Sequence, residues 1–130
     1  MIQGRTRRKL GDHFGLSNFG VNFTELAPGA MSALQHHHLT QDEFIYVVSG
    51  TPTLVLGDEE YVMQPGDCFG FKKGEGIGHQ LVNRSSEPVA YLEIGDRAGG
   101  DQVDYPGHDL RAQFNADGSW SFLHKDGTPY

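Results

Sequence analysis

Apolar and polar residues alternate in short runs along most of the chain, and nearly every run stops at glycine or proline. Val21 to Ala27 alternates and then meets Pro28-Gly29. Ala30 to His38 is a second run. Glu43 to Ser49 (EFIYVVS) is β-branched and aromatic and ends at Gly50. Thr53 to Leu56, Glu60 to Met63 and Cys68 to Phe71 follow, divided by Gly57-Asp58 and by Gln64-Pro65-Gly66-Asp67. Gln80 to Asn83 and the apolar Val89 to Ile94 close the series. Strands spaced at about eight to twelve residues, with turn signals between them, predict a β-sandwich or barrel. No segment carries a sustained helical period. From Gly95 onward, Asp96, Asp101, Asp104 and Asp109 lie among glycine and proline, which predicts a loop giving polar cover. Trp120 to Leu123 alternates again and predicts one more strand. The expected organisation is an N-terminal arm over 1–20, a barrel over 21–95, and a loop with a C-terminal strand over 96–130. That last strand packs on the barrel or on a partner subunit. Tyr46, Val48, Val55, Phe69, Phe71, Leu81, Tyr91 and Leu92 are the expected packing residues. Cys68 is expected as a small hydrophobe of the core or pocket wall.

Composition narrows this picture. The chain has 130 residues, the size of one domain. Its 18 glycines disfavour long helices. Ten basic and 17 acidic residues give a net charge of −7. Four of the basic residues, Arg5, Arg7, Arg8 and Lys9, form one cluster that reads as a solvated or frayed terminus. The acidic remainder argues against a nucleic-acid partner. The lone Cys68 allows no intrachain disulfide, so a reducing, cytoplasmic setting is expected. No apolar run approaches the roughly 18 residues of a membrane span, and no secretory signal peptide is expected.

The candidate chemistry lies in histidine. Residues two apart on a strand share a face, so His36 and His38 point one way and His37 the other. Such a pair is a two-ligand clamp for a transition metal. Glu43 opens the next strand after a short connection and offers a carboxylate oxygen. His79 follows a glycine-rich loop, opens a later strand, and is the candidate fourth ligand. Three imidazoles and one carboxylate suit Mn, Fe, Co, Ni, Cu or Zn, with positions left open for water or substrate. His13, His108 and His124 lie outside these patterns and are expected at the surface. Lys72 or Lys73 is a candidate contact for an anionic ligand. Glu93 sits in an apolar strand and needs a partner if it faces inward.

These spacings resemble the cupins, specifically the small single-domain conserved-barrel type. The first motif runs Gly29, six residues, His36-x-His38, four residues, Glu43, six residues, Gly50. The second runs Gly66, five residues, Lys72-Lys73-Gly74, four residues, His79, three residues, Asn83. Lys72 stands where the family pattern has proline, and the gap before His79 is two residues longer. The runs DEFIYVVSG, HQLVN and HKDGTPY also resemble microbial cupins labelled sugar-phosphate-isomerase-like. The resemblance covers about Val21 to Ile94. It implies an all-β, single-domain double-stranded β-helix of jelly-roll type, with a metal on His36, His38, Glu43 and His79. It further implies a small-molecule ligand or substrate and a homodimer paired through edge strands. Isomerase, lyase or dioxygenase-type chemistry on a small polar metabolite is one expectation. A non-catalytic binding or sensing cupin is the alternative. No general base is legible beyond Glu43. A cupin regulator would carry a separate helical DNA-binding domain, for which this chain has no room.

Overall fold

A computed structural model describes residues 3–98 and 101–130. The described elements are, in order, β1 (Arg5–Lys9), α1 (Leu10–His13), β2 (Phe19–Leu26), β3 (His37–His38), β4 (Glu43–Ser49), β5 (Thr53–Leu56), β6 (Glu59–Val62), β7 (Cys68–Phe71), β8 (His79–Val82), β9 (Val89–Asp96), β10 (Gln102–Asp104), β11 (Arg111–Phe114) and β12 (Trp120–Leu123). All strand pairs are antiparallel. One wall is the five-stranded sheet β1-β2-β9-β4-β7. The other is built from two smaller sheets, β12-β11-β10-β3 and β6-β5-β8. A bridge between His36 and His79 joins these two, each backbone N–H donating to the other's carbonyl at 3.1 and 2.8 Å.

The core lies between the walls and contains Leu26, Ile45, Val47, Leu54, Leu81, Val89 and Tyr91. Register fixes which residues face it. One inward row across the large sheet reads Arg7, Thr24, Tyr91, Val47, the next Lys9, Asn22, Glu93, Ile45, Phe69, and the next Gly20, Gly95, Glu43, Phe71. The interior thus grades from aliphatic at Leu26 and Val89 to polar at Glu43.

Several expectations are corrected. Tyr46 and Val48 sit on the outer face and are exposed, because Glu43, Ile45 and Val47 take the inner positions of β4. Cys68 is exposed, not part of the core. Of the remaining expected packing residues, Leu81 and Tyr91 are buried, Phe69 and Phe71 pack against the core, and Val55 and Leu92 are half-buried. The run from Ala30 is not a continuous strand. Gln35 Nε2 donates to the Gly57 and Gly78 carbonyls and Gln80 Nε2 to that of Ala33, so side-chain amides replace ladder bonds there. The basic N-terminal cluster is not frayed, since β1 pairs with β2 over five positions, although Arg7, Arg8 and Lys9 are solvated as expected. The stretch read as a loop holds β10 and β11. Their apolar residues are Val103 and Ala112, both buried, and the half-buried Phe114, in strands too short to register as a run. His13 and His108 are exposed, and His124 is half-buried beside Asp109.

Gly50 ends β4 with φ +79°, and a Cβ there would come within 2.5 Å of the Pro88 carbonyl oxygen. Both conformation and space require glycine. Gly50→Ala is expected to destabilise the fold by about 3 kcal/mol or more, read by chemical denaturation.

Candidate metal centre

His36 lies at the bridge to β8, His38 in β3, Glu43 at the start of β4 and His79 at the start of β8. Their meeting follows from antiparallel pairing. Glu43 stands opposite Gly95 and Phe71, both on the inner face. The missing side chain at Gly95 leaves room beside the carboxylate, since a Cβ there would lie 3.7 Å from Glu43 Cγ.

Three imidazole nitrogens converge on one oxygen. His36 Nε2 and His79 Nε2 each lie 3.7 Å from Glu43 Oε1, and His38 Nε2 is in direct contact with it. The donor atoms of His36, His38 and Glu43 lie within 4.8 Å of one another. His79 stands outside that compact trio, although its ring centre is 4.6 Å from that of His36. The structure therefore gathers all four predicted residues around one point. It sends His37 elsewhere, 3.3 Å from Asp104. Asp42 also turns away, accepting a hydrogen bond from the Lys73 backbone N–H. Lys72 and Lys73 are exposed, and Lys72 borders only a small side cavity of about 90 Å³.

Hydrogen bonds fix the rings. His38 Nδ1 donates to Asp101 Oδ2 at 2.6 Å and His36 Nδ1 to the Leu34 carbonyl at 2.8 Å. A carboxylate and a carbonyl only accept, so both Nδ1 atoms carry hydrogen and both Nε2 atoms face Glu43. His79 stacks on Phe71 at 3.7 Å, and neither of its nitrogens has a hydrogen-bond partner. Glu43 Oε1 also lacks one of good geometry. Burial pulls the His38 imidazole down, but Glu43 and then Asp101 outweigh it and raise the group to about 9. Burial holds His79 below the ordinary imidazole value despite Glu43. Burial would raise the Glu43 carboxyl, yet the three imidazoles keep it well below the usual carboxylate range. One proton on His38 answers only one of three nitrogens. Bare lone pairs aimed at a buried carboxylate, with His79 left unpartnered, fit a bound cation.

A cavity of about 1140 Å³ opens from this cluster, walled by Ile45, Phe71, Val103, Tyr105, Phe114 and Trp120 among others. Tyr105 is half-buried with its ring centre 5.8 Å from that of His36. Asp101 and Tyr105 were not singled out as site residues from sequence. Asp101 is fully buried and also accepts from the Thr40 backbone N–H at 2.7 Å and its hydroxyl at 3.1 Å. It stands 63 residues from His38 among other loop acids, and no local spacing marks it.

The family profile described as Cupin domain matches residues 22–95. The chain belongs to the cupin family. This cupin is similar in structure to a sugar phosphate isomerase of the cupin superfamily from Silicibacter pomeroyi. The TM-score is 0.94 and the identity 43%, over 99% of this chain and 82% of that one. A protein from Acidithiobacillus ferrooxidans, described as a candidate sugar phosphate isomerase, matches at TM-score 0.86 and 32% identity, over 97% and 80%. The cupin domain of an XRE family transcriptional regulator from Enterobacter cloacae matches at TM-score 0.61 and 25% identity, over 74% and 99%. No curated protein matches this cupin. None of its helices is long and apolar enough to cross a membrane, among the described residues.

Removing Asp101 would leave the His38 Nδ1–H and the Thr40 donors unpaired in a dry place. Asp101→Ala is expected to lower the unfolding free energy by about 2–4 kcal/mol, measured by urea denaturation of the metal-free protein.

Proposed function

We propose that this cupin is a metal-dependent enzyme of isomerase or lyase type acting on a small polar metabolite, with the metal on His36, His38, Glu43 and His79. The observation that carries the reading is the convergence of three imidazole Nε2 atoms on Glu43 Oε1, two of them with their other nitrogen already committed to an acceptor. A divalent transition metal bound there (Mn, Fe, Co, Ni, Cu or Zn) supplies a Lewis acid that polarises a carbonyl oxygen. The chain's own residues do the rest. Asp101 and the Leu34 carbonyl orient two ligand rings. Phe71 and Ile45 keep bulk water away. Burial, and then Glu43, push the Tyr105 phenol up, and as a phenol on the cavity wall it would offer a hydrogen-bond donor to a substrate oxygen. The sugar phosphate isomerases among the similar structures support an isomerase assignment.

Untagged protein prepared without added metal is expected to contain about one transition-metal ion per chain by elemental analysis. His79→Ala is expected to lose most of it, and Asp101→Asn to bind it about 10–100-fold more weakly. Protein that takes up no metal from the series Mn to Zn would remove the enzyme reading. Retention of full metal content by His79→Ala would remove His79 from the ligand set.

The regulator domain from Enterobacter cloacae supports a second reading, a non-catalytic cupin that binds or senses a small molecule. Saturable binding without turnover across a panel of aldose and ketose phosphates would select it.

We further infer a homodimer. The predicted crossing segment, Trp120 to Leu123, pairs within its own chain with β11. The outer face of the large sheet is the better candidate, because Phe44 and Tyr46 are exposed there beside Leu92 and Ile94. Light scattering is expected to give a dimer for the native chain and a monomer for Tyr46→Lys.

A further inference from the structure

Part of the basic cluster on β1 borders the cavity, with Arg5 half-buried and Arg7 and Lys9 exposed at its edge. Arg5, Arg7 and Lys9 alternate, share one face of β1 and line the same cavity as His36, His38, Glu43 and His79. Thr6 and Arg8 are turned away, and Arg8 lies 3.8 Å from Glu25 on the outer face. Glu93, the inward acid of β9, lies 3.8 Å from Arg7 and accepts a bond from Asn22 Nδ2 at 3.4 Å. It answers one of the three cations. Arg5 is half-buried and donates to the Ser32 carbonyl, with no carboxylate partner among the described residues. Burial, and then the neighbouring Arg7, lower its pKa. Lys9 has no ion-pair partner among the described residues. The other charges near the cavity are accounted for. Arg97 pairs with Asp12, and Asp96 accepts from the backbone N–H groups of Asp42 and Ala98.

We propose that Arg5, Arg7 and Lys9 form an anion subsite that holds a phosphate monoester at the end of the substrate remote from the His36–His79 centre. The inference rests on the reading of that centre as the reactive end. Arg5 and Lys9 have no ion-pair partner among the described residues, so positive charge on this face of β1 is left for an anion to answer. Arginine suits the task because its planar fork meets phosphate oxygens in pairs. Position suits it too. Arg7 and Glu43 are two inward rows apart along the strands, about 14 Å, and three strand spacings apart across the sheet, about 14 Å. The two offsets combine to about 20 Å between backbones, which the inward-directed side chains of Arg7 and Glu43 shorten. Asn22 and Glu93 line the cavity and are polar, whereas Thr24 and Tyr91 are fully buried.

The test is titration calorimetry of the full chain with inorganic phosphate, as isolated and again after chelation, so that direct binding to a metal is separated from binding at β1. Wild type is expected to bind phosphate in both states. Arg5→Gln and Arg7→Gln are each expected to weaken the Kd of the chelated protein at least tenfold, and the exposed Lys9→Gln at least threefold. Elemental analysis should show unchanged metal content in all three. A wild-type protein that binds no phosphate after chelation, variants with the wild-type Kd, or acetate bound as tightly as phosphate would each overturn the proposal. Lys9→Gln keeps the test open if an arginine variant fails to fold. Metal-binding failure with intact, β1-dependent phosphate binding would reject the enzyme reading alone.

Discussion

The constraint on which the rest of the structure depends is the arrangement of three imidazole nitrogens around one carboxylate oxygen in a largely dry barrel. Such a set is costly when nothing positive sits among it, because a buried anion and bare lone pairs repel. The chain holds it by making the same residues part of its seams. The backbone of His36 and His79 forms the bridge between the two smaller sheets. His38 pairs with Val103, and its ring is tied to Asp101 just before β10. Glu43 lies between β7 and β9 in the large sheet. Each polar side chain is therefore delivered by a strand pairing that the fold needs in any case.

This is why the four residues were legible as a set. His36 and His38 are separated by the strand period, and Glu43 opens a run that ends at Gly50, whose positive φ admits only glycine without strain. Those signals are local and survive in the sequence. The strands β2 and β4 to β9 were legible for the same reason, being aliphatic, aromatic and bounded by turns. What was not legible depends on distant partners. In EFIYVVS every position after Glu43 but the terminal Ser49 is apolar, so composition could not say whether Ile45 and Val47 or Tyr46 and Val48 face inward. Taking Glu43 as an inward ligand would have settled it, since period two then places Ile45 and Val47 inside. Asp101 carried no local mark, and its role exists only because β10 lies against β3. The strands β10 and β11 are short and polar, held by register with neighbours and not by their own propensity.

The basic cluster shows the same limit more sharply. Arg5, Arg7, Arg8 and Lys9 look alike in sequence. Pairing to β2 separates them, placing Arg5, Arg7 and Lys9 on the cavity side of the strand and Arg8 on its other face. The separation also explains how Glu93 is tolerated inside an apolar strand, because Arg7 and Asn22 supply the partners that an inward carboxylate requires.

A net charge of −7 argues at first sight against an anionic ligand. Distance decides otherwise. Exposed charges separated by more than a Debye length, about 8 Å at physiological salt, are largely screened, so distant surface acids count for little beside the groups that border the cavity. On the proposed reading, a molecule inside meets Arg5, Arg7 and Lys9 at one end and, at the other, a divalent cation held by Glu43 and the imidazoles. Guanidinium forks suit a phosphate and a metal's open positions suit a carbonyl oxygen, so the two ends differ in the group they bind and not in the sign of their charge. The acidic exterior slows the approach of an anion without changing which end of it each part of the cavity prefers.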